Sequence, residues 1–285
     1  MAGPAAAGGP GFDLALAPGG YAWWYVDALS EPQPDGSVHA LTLIAFIGSV
    51  FSPYYAWARR RHGDAGAPAE AHCAINLSLY RRAPGASSFE RRWAMTERGP
   101  AALRRNSSLL QVGPSRLAWQ PDGSLAIDID EWTAPWPQRL RGQVRLHPGA
   151  LPGRAFALDA AGHHHWQPIS PSARVTVEFG SPAQRWQGDA YLDANHGSRP
   201  LARDFRSWQW QRSALPGNRA RVLYEVQPLH GDERTLALAT RPPERIDAVA
   251  AAIRQPDAPL RTSGGDVAEL IAHVSLREVQ LRTDA

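Results

Sequence analysis

Leu117, Ala118, Trp119, Gln120, Pro121, Asp122, Gly123, Ser124, Leu125, Ala126, Ile127, Asp128, Ile129 and Asp130 spell out a β-hairpin. A Pro-Asp-Gly-Ser turn separates two short runs, and the glycine supplies the backbone angle that a tight turn needs. In the second run Leu125, Ile127 and Ile129 point one way and Asp128 and Asp130 the other, the period of two of a half-buried strand. The next stretch repeats the pattern, with Leu140, Gly142, Val144 and Leu146 opposite Arg139, Arg141, Gln143 and Arg145. The two polar faces can exchange salt bridges, although exposed pairs contribute little.

Upstream, residues 19–27 read as a turn feeding an aromatic strand. Residues 38–50 read as a buried strand broken by Gly48 and Pro53. After a loop rich in Arg, Gly, Ala and Pro, Ala74, Asn76, Ser78 and Tyr80 alternate with Cys73, Ile75, Leu77 and Leu79, a further half-buried strand. Residues 88–103 fit either a strand or a short helix. Downstream, residues 147–162 carry Pro148, Pro152 and several glycines and read as a linker. Strands follow at 173–179, 185–193, 206–212, 220–227 and 234–240, then a short helix at 246–253, and beyond Thr262 the pattern is lost. Closely spaced strands with turn signals between them predict antiparallel barrels or sandwiches. Trp23 with Trp24, and Trp208 with Trp210, are a weak sign that two halves repeat one feature.

A chain of 285 residues buries one large core or two modest ones, and the linker favours two domains. The single cysteine, Cys73, excludes an internal disulfide and paired-cysteine zinc, and fits a reducing compartment. The start is Ala/Gly/Pro-rich without the basic and apolar segments of a signal peptide, and no apolar stretch reaches the ~20 residues of a spanning helix. The expectation is a cytoplasmic protein, soluble or peripheral to a membrane. All 30 basic residues are arginines, and the net charge is only +3. No phosphate loop, zinc finger or base-reading helix accompanies them, which argues against nucleic acid. Arg59, Arg60, Arg61 and His62 read as a solvated loop, or as a contact for anionic lipid headgroups.

The chemistry-bearing stretch runs from His163, His164, His165 and Trp166 to Tyr191, Leu192, Asp193, Ala194, Asn195, His196 and Gly197. On a strand, Gln187, Asp189, Tyr191 and Asp193 share a face while Trp186, Gly188, Ala190 and Leu192 take the other. The same rule places His164 beside Trp166. An acid, a histidine and two electron-rich rings in apolar surroundings suit protonation of an apolar molecule and shelter for the resulting cation. The plainer reading of Asp193 is a turn former before Gly197. A metal site is the less favoured reading of the histidines, since only His163 and His165 share a face and no zinc spacing is present. Ser49, in Gly48-Ser49-Val50, lacks the flanks of a nucleophile elbow.

The runs GGYAWWYVDAL, LTLIAFIGSVFSPYYAWARR, HCAINLSLY, RWAMTERG, IDIDEWTAPWPQRLRGQVRLHP, FALDAAGHHHWQPISPSARVTVEF and YLDANHG resemble the acyclic carotenoid 1,2-hydratases. The resemblance extends from about Gly19 to Thr240, and beyond about Arg241 the family's closing segment is not recognisable. It implies an all-β chain of two consecutive lipocalin-like antiparallel barrels, at residues 12–160 and 163–285, the second either incomplete or diverged at its end. It implies a hydro-lyase without cofactor or metal, which adds water to the terminal double bond of lycopene or neurosporene in the carotenoid biosynthesis of purple phototrophic bacteria. The family's His-x-Trp and Tyr-x-Asp pairs fall on His164 with Trp166 and Tyr191 with Asp193. By this analogy Asp193 gives the proton, Trp166 and Tyr191 face the cation, and His164 orients the acid or takes a proton from the attacking water. A substrate of this kind lives in a membrane, so peripheral contact with a membrane surface is expected, with Arg59–Arg61 as the contact. The competing expectations are a lipocalin-like carrier of an apolar polyene or lipid and a metal-dependent hydrolase.

Overall fold

A computed structural model describes residues 11–63, 66–149, 153–215, 219–241 and 245–249. The strands are β1 (Tyr21–Ser30), β2 (Val38–Ile47), β3 (Cys73–Arg82), β4 (Glu90–Arg98), β5 (Leu103–Arg105), β6 (Leu109–Val112), β7 (Ser115–Trp119), β8 (Leu125–Trp132), β9 (Arg139–Pro148), β10 (Phe156–Ala157), β11 (His164–Ser181) and β12 (Ala183–Gly197). These twelve form one antiparallel sheet in the order β4-β3-β2-β1-β12-β11-β9-β8-β7-β6-β5, with β10 beside β11. The remaining strands, β13 (Phe205–Leu215), β14 (Arg219–Pro228), β15 (Arg234–Arg241) and β16 (Arg245–Val249), make a second sheet in sequence order.

The large sheet curls into a nearly closed barrel, in which the edge strand β4 comes round against β8. There the Arg98 guanidinium donates to Glu131 at 2.7 Å, and Ser115 Oγ donates to the other carboxylate oxygen at 2.7 Å. Glu131 is fully buried. A carboxylate out of water needs such partners, because a lone buried charge costs several kcal/mol, on the order of 3–5 once a partner is removed. The barrel interior is filled by alternate residues of each strand, among them Trp24, Val26, Leu43, Ile75, Ile127, Val144, Val175 and Leu192. The turn at the β7–β8 hairpin forms as its sequence dictates, with Gly123 at φ 78° and Gly123 N–H donating to Gln120 O at 3.0 Å.

The all-β expectation holds, and the second unit is a smaller four-stranded sheet among the described residues. The boundary expected between 160 and 163 does not separate the sheets. β11 and β12 pair with each other, with β9 and with β1, so residues 164–197 complete the first barrel. Local patterning marks strands but not the partner that each one finds.

Residues 88–103 settle as β4 followed by a short 3-10 turn and β5. The segment read as a loop after Pro53 instead holds α1 (Pro53–His62). Ser52 caps it, its Oγ accepting from Tyr55 N–H at 3.0 Å, and Pro53 occupies the first turn, where its missing N–H is no loss. The helix expected at 246–253 is contradicted where it is described, since Arg245–Val249 pairs as a strand with β15. Residues 250–253, and the remainder of the expected second barrel to 285, lie outside the described residues. Among the described residues no helix is long and apolar enough to cross a membrane.

Candidate active site

The exposure pattern along β12 locates the site. From Ala183 to Asp189 buried and exposed residues mostly alternate, as on a strand with one wet face. From Ala190 to Asn195 every residue is buried, because the second sheet covers the outer face there. β1 shows the same change, with Tyr21 to Ala28 all buried. The candidate residues therefore lie on the outer wall of the first barrel, beneath the second sheet, and not in the barrel interior.

Three strands lay out that wall in rows. Across β11, β12 and β1, His164 stands beside Gly197 and Tyr21, Trp166 beside Asn195 and Trp23, and Pro168 beside Asp193 and Tyr25. Successive rows are two residues apart, about 7 Å along the strands. From the first sheet Trp166 Nε1–H and Tyr191 O–H both donate to Asp193 Oδ2, each at 2.8 Å. The other oxygen, Oδ1, is buried without a hydrogen-bond partner. Burial lifts the Asp193 carboxyl to about 7, with the nearby Asp27 charge adding to it, while the two donors pull the other way.

The second sheet supplies the lid. Trp210 of β13 packs 5.4 Å from the Tyr25 ring and 4.8 Å from the Tyr191 ring, and those two tyrosines are 6.2 Å apart. Tyr224 of β14 lies 5.0 Å from Trp166 and accepts from Asn195 Nδ2 at 3.1 Å. Arg212 Nε donates to Asp27 at 2.9 and 3.1 Å, joining the two sheets through a buried ion pair, and its guanidinium sits 5.7 Å from the Tyr191 ring centroid. Among the described residues five buried side-chain polar atoms lack a partner, and Tyr25 OH, Asp193 Oδ1 and Trp210 Nε1 are three of them. Each such atom costs about 1–3 kcal/mol, so three in one cluster mark a place shaped for something other than stability.

His164 belongs to a neighbouring network. Its Nε2 lies 2.7 Å from Asp204 and its Nδ1 2.9 Å from Tyr21 OH. Burial lowers its pKa against the pull of Asp204, so the ring is neutral near pH 7. A carboxylate only accepts, so the proton sits on Nε2, and Nδ1 accepts from the Tyr21 hydroxyl. Asp204 also takes Arg199 Nε at 2.7 Å, which ties this network to the crossover between the sheets. The bridge from Tyr21 to His164 passes over Gly197, where a Cβ would come within 2.6 Å of both His164 Nδ1 and the Tyr21 ring. Two rows, roughly 13 Å along the strands, separate this position from Asp193.

The structure thus brings together Asp193, Trp166 and Tyr191 and sets His164 apart, hydrogen-bonded elsewhere. The three histidines have three surroundings: His163 approaches Ser198 Oγ at 3.2 Å, His164 is buried, and His165 stacks on His196 at 4.9 Å. Among the described residues no three His, Cys, Asp or Glu side chains converge to hold a metal ion. Tyr25, Asp27, Trp210, Arg212 and Tyr224 escaped the sequence reading. A signal for some of them was present, since Tyr21, Trp23, Tyr25 and Asp27 alternate on β1 as Trp208, Trp210 and Arg212 do on β13. Adjacent Trp23 and Trp24 point to opposite faces, one to this cluster and one to the barrel interior, so they do not repeat the spaced pair Trp208 and Trp210.

Comparison with known proteins adds the family. The chain is 50% identical over 232 residues to the acyclic carotenoid 1,2-hydratase of Thiocapsa roseopersicina, an alignment covering 81% of this chain and 53% of that protein. The protein of the same name from Rubrivivax gelatinosus is 46% identical over 230 residues, covering 81% and 54%. That from Rhodobacter capsulatus is 39% identical over 201 residues, covering 70% and 66%. The chain spans about half the length of the first two relatives. In fold it is similar to the crystal structure of an AttH protein from Nitrosomonas europaea, with a TM-score of 0.53 and 14% sequence identity over 80% of this chain and 67% of that one. A sequence model described as carotenoid hydratase CrtC matches residues 43–270, past the point near Arg241 where the resemblance fades to the eye. With every strand from β3 onward and all four expected site residues inside that match, the chain belongs to the carotenoid hydratase CrtC family.

Proposed function

We propose that this chain hydrates the terminal 1,2 double bond of an acyclic carotenoid such as lycopene or neurosporene, with Asp193 as the acid. One observation carries the reading. Asp193 Oδ2 is held by two donors, while Oδ1 is buried with no partner and the carboxyl is lifted to about 7. A protonated carboxyl anchored through one oxygen carries its hydrogen on the other, available to an alkene carbon.

Oδ1–H transfers its proton to carbon 2, and the double-bond electrons form that C–H bond. Positive charge is left on the tertiary carbon 1. The π faces of Trp166, Tyr191, Tyr25 and Trp210 stabilise it, by about 2 kcal/mol for a well-placed ring from which water is excluded. Water bonds to carbon 1 and returns a proton to the Asp193 carboxylate, which restores the acid. Trp166 and Tyr191 orient the carboxyl, and His164 holds the crossover that seats the lid.

The test is to incubate the purified chain with lycopene in ¹⁸O-labelled water and to look for a labelled tertiary alcohol. The expected result is labelled alcohol from the wild type and none from Asp193→Asn of unchanged circular dichroism. Binding of lycopene with no alcohol formed would favour a carrier, and activity lost to a chelator a metal-dependent hydrolase. A fully active Asp193→Asn would remove Asp193 as proton donor.

A further inference from the structure

Helix α1 lies between β2 and β3 and presents one face to solvent. Tyr54 is 69% exposed and Trp57 53% exposed, and both are large aromatic side chains with no core to enter. Pro53, Arg60 and Arg61 share that exposed face, by helical spacing, while Tyr55 on the opposite side is fully buried and donates to Gly20 O at 2.6 Å. The Arg61 guanidinium stacks over Trp57 at 4.7 Å. Arg59, in contrast, turns inward over the Tyr55 ring at 4.6 Å and is only partly exposed. From Pro53 to His62 the helix carries no acidic residue. Its solvent face is therefore cationic and aromatic together, the pairing that suits the headgroup layer of an anionic bilayer.

The helix also adjoins the site. Phe51, two residues before Pro53, packs edge-on against Phe46 at 5.1 Å; Phe46 lies 6.2 Å from Trp23, which occupies the row next to Tyr25 and Asp193. These rings belong to the apolar cluster that contains Trp166 and Tyr191. A second pair of exposed tryptophans, Trp132 at the end of β8 and Trp136 on the β8–β9 connection, has no such continuity with the site among the ring contacts described.

We propose that the exposed face of α1, formed by Tyr54, Trp57, Arg60 and Arg61, docks the protein on an anionic lipid bilayer, and that the ring row Phe51, Phe46 and Trp23 leads an apolar chain from that bilayer toward Asp193. The docking surface stands on its own residues. The direction of travel rests on the hydratase reading.

The test is co-sedimentation with vesicles of phosphatidylglycerol and phosphatidylcholine, against phosphatidylcholine alone. The expected result is binding to the anionic vesicles that weakens with salt. Arg60→Ser and Arg61→Ser each lower the partition coefficient about fivefold, the worth of one basic residue at such a surface. Tyr54→Ser with Trp57→Ser abolishes sedimentation, and Trp136→Ser leaves it unchanged. Trp57→Phe retains binding but loses the part of the tryptophan quenching that brominated lipids cause. All these positions are exposed, so each variant is checked for an unchanged melting temperature.

Equal sedimentation of the wild type and the α1 variants would overturn the docking proposal, as would a loss confined to Trp136→Ser or no sedimentation of the wild type. Hydration of detergent-dispersed lycopene is measured beside it. The α1 variants are expected to keep that activity and lose it only for vesicle-borne substrate, so failure of docking and failure of the hydratase reading give different patterns.

Discussion

On β12, Leu192 and Asp193 are chain neighbours that live in different media. Leu192 faces the barrel interior among Val26, Ile169 and other apolar side chains, where contact is non-directional. Asp193 faces outward into a layer of rings, where Trp166 and Tyr191 fix one oxygen and leave the other bare. Both are nearly or wholly buried, at 0% and 4% exposure, so burial alone does not distinguish them. The direction of the polar groups does. The inner face supplies stability through close apolar packing, and the outer face holds polar atoms whose pairing is incomplete, a cost that a merely structural wall would shed.

The sharpest way to break this contrast is to change the two neighbours separately. Leu192→Ala is expected to cost about 2–5 kcal/mol of stability, by denaturant unfolding, with turnover per folded molecule and its pH profile unchanged. Asp193→Asn is expected to lower turnover by about 10²- to 10⁴-fold, the range for a general acid. Its amide preserves the shape and can still accept from Trp166 and Tyr191. Stability against pH separates the pair further. The Asp193 pKa rises from 3.8 to about 7 on folding, so the folded chain binds this proton more tightly than the unfolded chain does. Its contribution is fully present below about pH 4 and is lost as the pH climbs through 7, a change on the order of a few kcal/mol. Wild type should lose that stability relative to Asp193→Asn over this window, whereas Leu192→Ala should follow the wild-type slope.

A smaller effect tests whether the His164 network is part of the same chemistry. Gly197→Ala drives a methyl between Tyr21 and His164. It is expected to cost about 1–3 kcal/mol, as overpacking does. The network lies two rows from Asp193, so turnover of the folded fraction should fall without any displacement of its pH limb. A displaced limb would show that His164 and Asp193 share protons and would merge the two regions into one.

How far these regions could be read from the sequence follows from the same contrast. Alternation is local, so it gave most of the strands, the hairpin at Gly123 and the sharing of a face by Tyr191 and Asp193. It is blind to pairing across distance, and β1 meets β12 only after more than 150 intervening residues, as in the pairing of Tyr25 with Asp193. That is why local patterning suggests a new domain at 163, just where β11 of the first barrel begins. Trp210, Arg212 and Tyr224 reach the site from another sheet, and no spacing rule connects them to Asp193. α1 is a different case. Ser52 followed by Pro53 is a local helix start that the high arginine and glycine content nearby obscured.

The finest test of the outer face leaves the acid in place and removes one of its donors. Trp166→Phe keeps a ring in the layer but deletes the N–H that reaches Oδ2 at 2.8 Å. That hydrogen bond favours the ionised carboxylate and holds the pKa down against burial, so its loss must raise it. The protonated form also accepts from the indole, so only the difference between the two forms counts, about one pKa unit. In the proposed mechanism the protonated acid is the active form, so turnover of the wild type should fall as the pH passes about 7. In Trp166→Phe the limb should move upward by about that unit, while turnover on the low-pH plateau drops several-fold because the carboxyl is less firmly aimed. Tyr191→Phe, which removes the other donor, should move the limb in the same direction. A packing defect would lower the plateau and leave the limb where it was, and a downward movement would mean that the titrating group is not the carboxyl held by these two donors.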